Sequence, residues 1–367
     1  MPRVTSKGAD VDQSILTHCS SGCIHGHQRE RRIGASSKAS AVSVVPAAFS
    51  RSALAPSLRA AFSVFVDYLR LQQLSNLTLL ANVGNDVHGL QTVESRVLAL
   101  AVGITNDFTV SVRLPWVRRT GILEGVQEDP ATVRDRGNTS GFGDVTVLGQ
   151  YRFLNNRVSG TQAAVLFGAK APTGATNLVD PFGETFEAEF QPGSGSWDGL
   201  FGVAFSQQLY PALSFHANVL AIATRTGTQD TNLGNRFLYN GALAYRLFGE
   251  TASEPHSHDP RATYAHAGHD RSRMVTKTPM LAAPHGHVAL DALLEINGEW
   301  HEKQRTFGIA DPNSGGNTVF ISPGLRLTVE NWSSYVMVGI PVLNDYNGIQ
   351  ATPTWRVLAG VSAVFGP

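Results

Sequence analysis

The stretch GDVTVLGQYRFL, residues 143–154, alternates apolar and polar side chains along most of its length. Its apolar face carries Val145, Val147, Tyr151 and Phe153, and its polar face carries Asp144, Thr146, Gln150 and Arg152. Successive side chains of a β-strand point to opposite faces, so this period of two predicts a strand with one apolar face. A helix would scatter the same polar groups around its axis.

The same period recurs along the chain and predicts about twelve strands. They are expected near residues 61–72, 92–103, 108–119, 143–154, 161–171, 196–208, 213–225, 235–247, 287–301, 317–328, 333–343 and 354–365. The joins after the second, fourth, sixth and tenth strands are short, whereas most others are long and rich in Gly, Asp, Asn and Pro. Short periplasmic turns alternating with long external loops are typical of outer-membrane barrels, and an even strand number closes a barrel without edges.

The composition favours a surface that faces lipid. Charged residues make up 16% of the chain, whereas a soluble domain carries roughly a quarter. The formal net charge is +0 and the pI is about 7.2, which is unlike the basic footprint of a nucleic-acid binder. No apolar run reaches the roughly 18 residues of a transmembrane helix. The two cysteines, Cys19 and Cys23, exclude a scaffold stapled by several disulfides.

Alternation alone also fits a soluble β-sandwich, whose apolar face lines a core. Aromatic residues near strand ends favour a barrel, because interfacial girdles place them there; they are Tyr151, Trp116, Trp197, Trp300, Tyr335 and Trp355. We predict an all-β fold, a closed antiparallel transmembrane β-barrel of about twelve strands over residues 59–367. Residues 1–58 are expected to be a leader or a disordered N-terminal segment, with the best candidate signal peptide beginning at Arg31 and Arg32.

Charged and polar residues of the strands are candidates for the wall of the lumen. They are Arg113, Arg152, Lys170, Asp198, His216, Glu295 and Arg326. Two interpretations remain open for them. The cations either pair with acids such as Asp144, Asp198 and Glu295 to hold a narrow barrel together, or they line a path for a solute.

A histidine-rich segment at about 248–286 follows the eighth strand and is expected to face the periplasm if about twelve strands are present. The candidate metal ligands are His256, His258, His266, His269 and His285 of this segment and His287, which directly follows it. Imidazole groups suit Cu, Zn or Ni. A polar linker that is merely rich in histidine is the competing interpretation.

Several stretches resemble an uncharacterised outer-membrane β-barrel family labelled as transporters or as the meta-pathway phenol-degradation family. They are FTVSVRLPWVRR, SGFGDVTVLGQYRFL, FGAKAPTG, QPGSGSWDGLFGVAF, SGGNTVFISPGLRLTV and VMVGIPVLNDYNGIQATPTWRV, in the order of the family. The resemblance implies a barrel in the outer membrane and no established catalytic activity. The last strand also resembles the terminal signal that the barrel-assembly machinery recognises, with Phe365 as its final aromatic residue.

No catalytic motif is present: the sequence has no G-x-S-x-G elbow, no H-E-x-x-H pair and no phosphate-binding loop. A wall-mounted Ser/His pair would have to use His216. We therefore expect a non-enzymatic channel or transporter for small solutes, either aromatic or hydrophobic compounds or solutes of metal-linked efflux, with no required cofactor. The alternative is a metal-binding outer-membrane protein that sequesters Cu, Zn or Ni. Expected partners are outer-membrane lipid, the barrel-assembly machinery and a small solute, but no nucleic acid.

Overall fold

The computed structural model describes residues 60–249 and 288–365. Its elements are β1 (Ala60–Gln72), α1 (Asn76–Leu80), β2 (His88–Gly89), β3 (Thr92–Gly103), β4 (Phe108–Val126), β5 (Thr132–Phe142), β6 (Val145–Asn156), β7 (Thr161–Ala171), β8 (Asp198–Tyr210), β9 (Leu213–Ala223), a 3-10 turn (Thr228–Asp230), β10 (Thr231–Asn232), β11 (Arg236–Phe248), β12 (Val288–His301), β13 (Arg305–Thr306), β14 (Ile309–Ala310), β15 (Gly316–Val329), β16 (Trp332–Tyr346) and β17 (Thr352–Phe365). In these two stretches, no helix is long and apolar enough to cross a membrane.

The long strands form a closed antiparallel barrel. Each strand pairs with its sequence neighbours in the wall, and β1 pairs with β17 from Ala60 opposite Phe365 to Gln72 opposite Thr352, which closes the ring. Across this seam the guanidinium of Arg356 donates to the carboxylate of Asp67, with Nε 2.7 Å from Oδ1. The predicted closed barrel of twelve strands is confirmed. Strands β5 and β6 both pair with β4 and together occupy one of the twelve positions in the wall.

The fourth wall position differs from the sequence prediction. Strand β4 pairs with β6 along residues 108–113 and with β5 along residues 116–126. A break at Gly143 and Asp144 separates β5 from β6, so the two lie end to end beside β4. The prediction began this strand at residue 143 and missed β5, whose pairing extends the wall beyond the barrel.

The outer face of the barrel is apolar, as the alternation predicts. Phe201, Val203 and Phe205 of β8 are 64%, 44% and 39% exposed, while Asp198 and Leu200 on the other face are 5% and 6% exposed. Such a band is compatible with lipid and expensive to keep in water. The terminal strand follows the same rule, since Val361 and Phe365 lie on its exposed face. Recognition of this strand by the assembly machinery stays a prediction.

Tyr335 is an exception to the predicted aromatic girdle. It is 6% exposed and packs inside the barrel against Phe65, Met337 and Leu358. The girdle assignment for Tyr335 was therefore wrong. Its position in β16 places it in phase with the interior residue Met337, two residues along the strand.

The two ends of the barrel differ. Ala60 and Phe365 lie at one end, together with the short connections 104–107, 157–160, 211–212 and 330–331. Phe248 and Val288, which flank the histidine-rich segment, lie at this same end because β11 and β12 both reach it. Short turns mark the periplasmic end of outer-membrane barrels. The six candidate histidines themselves fall outside the described residues, as do residues 1–58.

Long connections cover the opposite end. The connection 172–197 between β7 and β8, here called the plug loop, contributes Phe186 and Phe190, both 3% exposed. These rings pack with Leu71 of β1, Ile122 of β4 and Leu90, which lies between β2 and β3. An apolar contact of this kind holds the plug loop against the barrel mouth.

Candidate solute path inside the barrel

An apolar cluster covers the interior wall in the half of the barrel nearest the plug loop. It consists of Leu148, Leu166, Leu200, Leu220, Ile222 and Leu238, which we call the leucine cluster. These residues come from five neighbouring strands, β6 to β9 and β11. They point inward because each alternates with exposed residues of the outer face, as Leu200 does with Phe201.

A second apolar cluster lies inside the half that carries the chain ends. It consists of Phe65, Val97, Ala244, Leu293, Tyr335, Met337 and Leu358. The residues belong to the strands on both sides of the closing seam and to β11 and β12. All are at most 6% exposed, so side chains fill this level of the interior.

A ladder of amides lies beside the leucine cluster. Asn240 Nδ2 donates to Asn218 Oδ1 at 3.0 Å, and Asn297 Nδ2 donates to Asn240 Oδ1 at 3.2 Å. Ser322 Oγ then donates to Asn297 Oδ1 at 3.0 Å. Asn218 and Asn240 are each two residues from Leu220 and Leu238 on the same strand faces, so the interior changes from apolar to polar within one step along the strands.

Two predicted lumen residues lie deep in this polar zone. Glu295 is 0% exposed and accepts from Asn297 Nδ2 at 3.1 Å. His216 is 1% exposed, with Nδ1 2.6 Å from Ser206 Oγ and Nε2 3.1 Å from Ser214 Oγ. A Ser/His pair therefore exists in the wall, and both ring nitrogens of His216 contact serine hydroxyls. The contacts fix the imidazole ring between two strands.

Two more predicted residues, Arg326 and Arg152, form ion pairs in the half of the barrel that carries the chain termini. Arg326 Nη2 lies 2.7 Å from Asp291 Oδ2, and Arg246 Nε contacts the other oxygen of Asp291 at 2.5 Å. Arg152 Nη2 lies 2.8 Å from Asp107 Oδ1 in a short turn. Arg113 is half-buried on the inner face of β4. For Arg326 and Arg152 the structure shows pairing, though with acids other than those the sequence suggested.

Lys170 and Asp198 meet at the base of the plug loop. Lys170 Nζ lies 2.7 Å from Asp198 Oδ2 and 3.1 Å from Asp144 Oδ2. Ser194 of the plug loop donates to Asp144 Oδ2 through its amide at 2.9 Å and its hydroxyl at 2.6 Å. The predicted Lys170 pairing thus also anchors the loop, because a buried carboxylate that accepts several donors fixes them in place.

Main-chain carbonyls of the plug loop form a second anchor. Arg119 Nη1 donates to the carbonyl of Gln191 at 3.1 Å, and Thr139 Oγ1 donates to that of Phe190 at 2.8 Å. Arg119 lies on β4 and Thr139 on β5, so the strand that the sequence missed helps to hold the plug loop. No local pattern marks this contact, since the two partners are separated by more than fifty residues in sequence.

The leucine cluster was also missed, although a signal for it exists. Leu148, Leu200 and Leu220 occupy positions in phase with the polar residues of their strands, such as Gln150 and Asn218. Apolar residues on the lumen phase of several consecutive strands are therefore the pattern that indicates an apolar interior.

These features define an outer-membrane β-barrel whose outer band faces lipid, whose interior holds two apolar clusters, and whose mouth carries a folded-in loop. Its place is the bacterial outer membrane. Residues 75–254 match the family described as "Putative MetA-pathway of phenol degradation", which confirms the resemblance found in the sequence. No curated protein matches the sequence.

The fold is also found in solved structures. An outer membrane channel from Pseudomonas putida F1 superposes with a TM-score of 0.52 and 14% identity, over 84% of this chain and 96% of that chain. LpxR from Salmonella typhimurium gives a TM-score of 0.41 at 9% identity, covering 83% and 100%. The CymD monoaromatic hydrocarbon channel gives 0.39 at 8% identity, covering 88% and 92%. The first likeness supports the fold; the other two are too distant to carry an argument.

Proposed function

We propose that this barrel carries small hydrophobic solutes, with aromatic compounds as the best match, across the outer membrane. The observation that supports the proposal is the leucine cluster on the inner wall. Barrels that conduct hydrophilic solutes present a polar interior. An apolar wall instead stabilises an apolar solute by about 25 cal/mol for each Å² of surface removed from water.

The position of the cluster fits entry from outside. It lies directly below the plug loop, whose anchor residues Lys170 and Asp198 adjoin Gly168 and Leu200 on the same strands. A solute that passes the plug loop therefore meets apolar side chains first and the amide ladder next. Because the interior residues are closely packed, passage requires the plug loop and some interior side chains to move. The phenol-degradation description of the matching family agrees with an aromatic solute.

A matched pair of interior variants tests the proposal. Leu220→Asn makes the leucine cluster polar, whereas Asn218→Leu, two residues away on the same face, makes the ladder apolar. The uptake of radiolabelled toluene by cells that express each variant is the measurement. We expect Leu220→Asn to reduce uptake by about fivefold or more, because one buried leucine contributes on the order of 1–2 kcal/mol.

Heat-modifiable migration on gels checks that both variants form barrels. Equal uptake by the two variants, or uptake no greater than in cells without the protein, would contradict the proposal. Swelling of liposomes in a sugar solution at a rate typical of an open porin would point to a hydrophilic solute instead.

A further inference from the structure

A second group of side chains at the barrel mouth takes no part in the interior path. Asp86, His88, Glu187 and Glu189 each offer one nitrogen or oxygen atom, and these four atoms lie within 4.8 Å of one another. We call this group the mouth cluster. None of its four residues belongs to the histidine-rich segment. The strand ends that flank that segment, Phe248 and Val288, lie at the other end of the barrel.

The mouth cluster joins two separate parts of the fold. Asp86 lies in the turn that precedes β2, and His88 is the first residue of β2, where it lies opposite Glu124 of β4. Glu187 and Glu189 belong to the plug loop, in which the amide of Phe190 donates to the carbonyl of Glu187 at 3.0 Å. That turn brings both glutamates to the same side as His88.

Burial fixes the imidazole within the cluster. His88 is 3% exposed, and its ring lies edge-on to Phe190 with centroids 5.2 Å apart. Glu189 is 4% exposed, whereas the side chains of Asp86 and Glu187 are 43% and 37% exposed. The cluster therefore has a buried floor and an open side through which an ion could enter from the solvent.

The distances around the ring suit a bridging ion. Nε2 of His88 lies 3.4 Å from Glu187 Oε1, so Nε2 is the nitrogen that would face the ion. Nδ1 lies 3.8 Å from Asp86 Oδ1 and cannot bind the same ion, but Asp86 still offers a ligand atom within 4.8 Å of those of the other three residues. Two ligands of a tetrahedral metal with bonds of about 2.0–2.1 Å are separated by about 3.4 Å, which matches the His88–Glu187 contact.

The charges around the cluster also favour a cation. Three of its four members are carboxylates. Glu124 Oε1 lies 3.9 Å from His88 Nε2, but the charge of Glu124 is offset by its ion pair with Arg136. Arg136 pairs with Glu124, Asp180 and Glu184, which lie outside the mouth cluster. Arg119 interacts electrostatically with Glu189 and offsets part of the negative charge of the three carboxylates. Gln304 Nε2 donates to Glu189 Oε2 at 3.1 Å and orients that carboxylate.

We propose that Asp86, His88, Glu187 and Glu189 bind one divalent transition-metal ion of the Zn²⁺ type and that the ion ties the plug loop to β2. One imidazole with carboxylates is a donor set that Zn²⁺ accepts. The set contains no thiolate or thioether, which disfavours Cu(I). The ion would stabilise the closed position of the plug loop, because two of its ligands lie on that loop and two lie outside it.

The test uses the full chain in detergent with His256, His258, His266, His269, His285 and His287 replaced by Ala, so that the histidine-rich segment contributes no sites. Titration calorimetry with Zn²⁺ alone counts the equivalents bound to this background protein. Adding His88→Ala should remove one equivalent. Adding Asp86→Asn with Glu187→Gln, which keeps the shape of both side chains, should weaken the same site by about tenfold or more.

The matched control is Glu128→Gln on the same background. Glu128 is an acid at the same end of the barrel, with a side chain 46% exposed, and it pairs with Arg134 outside the cluster. We expect this variant to bind Zn²⁺ as the background protein does. If His88→Ala and the Asp86→Asn, Glu187→Gln pair both retain every equivalent, the proposal is wrong.

Heat-modifiable migration shows whether His88→Ala folds. If it does not fold, the Zn²⁺ binding of the double variant Asp86→Asn, Glu187→Gln decides whether the mouth cluster binds the ion. The binding measurement needs no solute. Its failure is therefore distinguishable from failure of the toluene uptake experiment, which can succeed or fail independently.

Discussion

The outer and inner faces of the same strands follow different rules. On β9, Phe215, Val219 and Ala221 face outward with little chemical variety. The inward positions run from Ile222 and Leu220 to Asn218, His216 and Ser214. Lipid demands one chemistry along the whole outer band. The residue type at each inner position instead depends on the side chains that it contacts inside the barrel. The inner face therefore carries information about function, whereas the outer face reflects only the lipid environment.

The largest expected effect separates these two faces. Val147→Arg puts a charge on the outer face, where Val147 is 43% exposed, whereas Gln150→Arg puts the same charge on the inner phase of the same strand. An arginine near the bilayer midplane costs roughly 2–4 kcal/mol. We expect Val147→Arg to impair assembly strongly and Gln150→Arg to impair it much less, measured by the heat-modifiable fraction in outer membranes. Equal yields would show that the two faces are assigned incorrectly.

A smaller effect is expected at the inner anchor of the plug loop. Asp144→Ala removes the acceptor for Ser194, for the amide of Gly174 and for Lys170. Buried donors left without an acceptor cost about 1–3 kcal/mol. The plug loop should become sensitive to added protease in intact cells while the barrel remains heat-modifiable.

Asp135→Ala serves as its control. Asp135 is exposed in β5, and its carboxylate accepts from the amide of Gly137 at 2.8 Å, a hydrogen bond within β5. Equal protease sensitivity of the two variants would mean that Asp144 is not an anchor.

Acid should loosen the same loop to a lesser degree. Burial by itself raises the pKa of Asp180. The backbone amides of Glu184 and Phe182 and the guanidinium of Arg136 lower the pKa by more than burial raises it, so the pKa of Asp180 lies below its usual range. A carboxyl group with a lowered folded-state pKa stabilises the fold above its ordinary pKa, and this contribution is lost as the pH falls through the lowered value.

Protease sensitivity of the plug loop should therefore rise as the pH falls below about 4. Asp180→Asn should show greater sensitivity at neutral pH and a smaller further increase in acid. A variant that keeps the pH response of the original protein would place the titrating group elsewhere.

The smallest effect on the barrel is expected from the histidine-rich segment. We predict that its histidines bind Cu²⁺ or Zn²⁺, since neutral imidazole is a common ligand for both, with affinity that falls as the pH drops below about 6. Replacing the six histidines by Ala should lower the number of ions bound and leave circular dichroism and heat-modifiability unchanged. Unchanged binding would make the segment a polar linker, and failure to fold would reveal a structural element within it.

The sequence by itself determined the strands that face lipid. The ranges 92–103 and 161–171 were predicted as they occur, because a period of two is enforced wherever one face must be apolar. Strand β5 was not predictable in this way. Its sequence, TVRDRGNTSGF, has no continuous apolar face, since it extends β4 beyond the barrel and lipid places no demand on it.

Only the tertiary structure decided how the inner face is used. Tyr335 reads locally as an interfacial aromatic, but its strand phase turns it into the interior cluster. Lys170 reads as a charge in the lumen, yet its role depends on Ser194 of the plug loop, twenty-four residues away. The mouth cluster unites positions about a hundred residues apart. Lipid acts on every strand separately and so leaves a local pattern. Apolar residues on the lumen phase can indicate an apolar interior, but the pairing of a particular inward side chain with a distant loop depends on chain closure and leaves no local pattern.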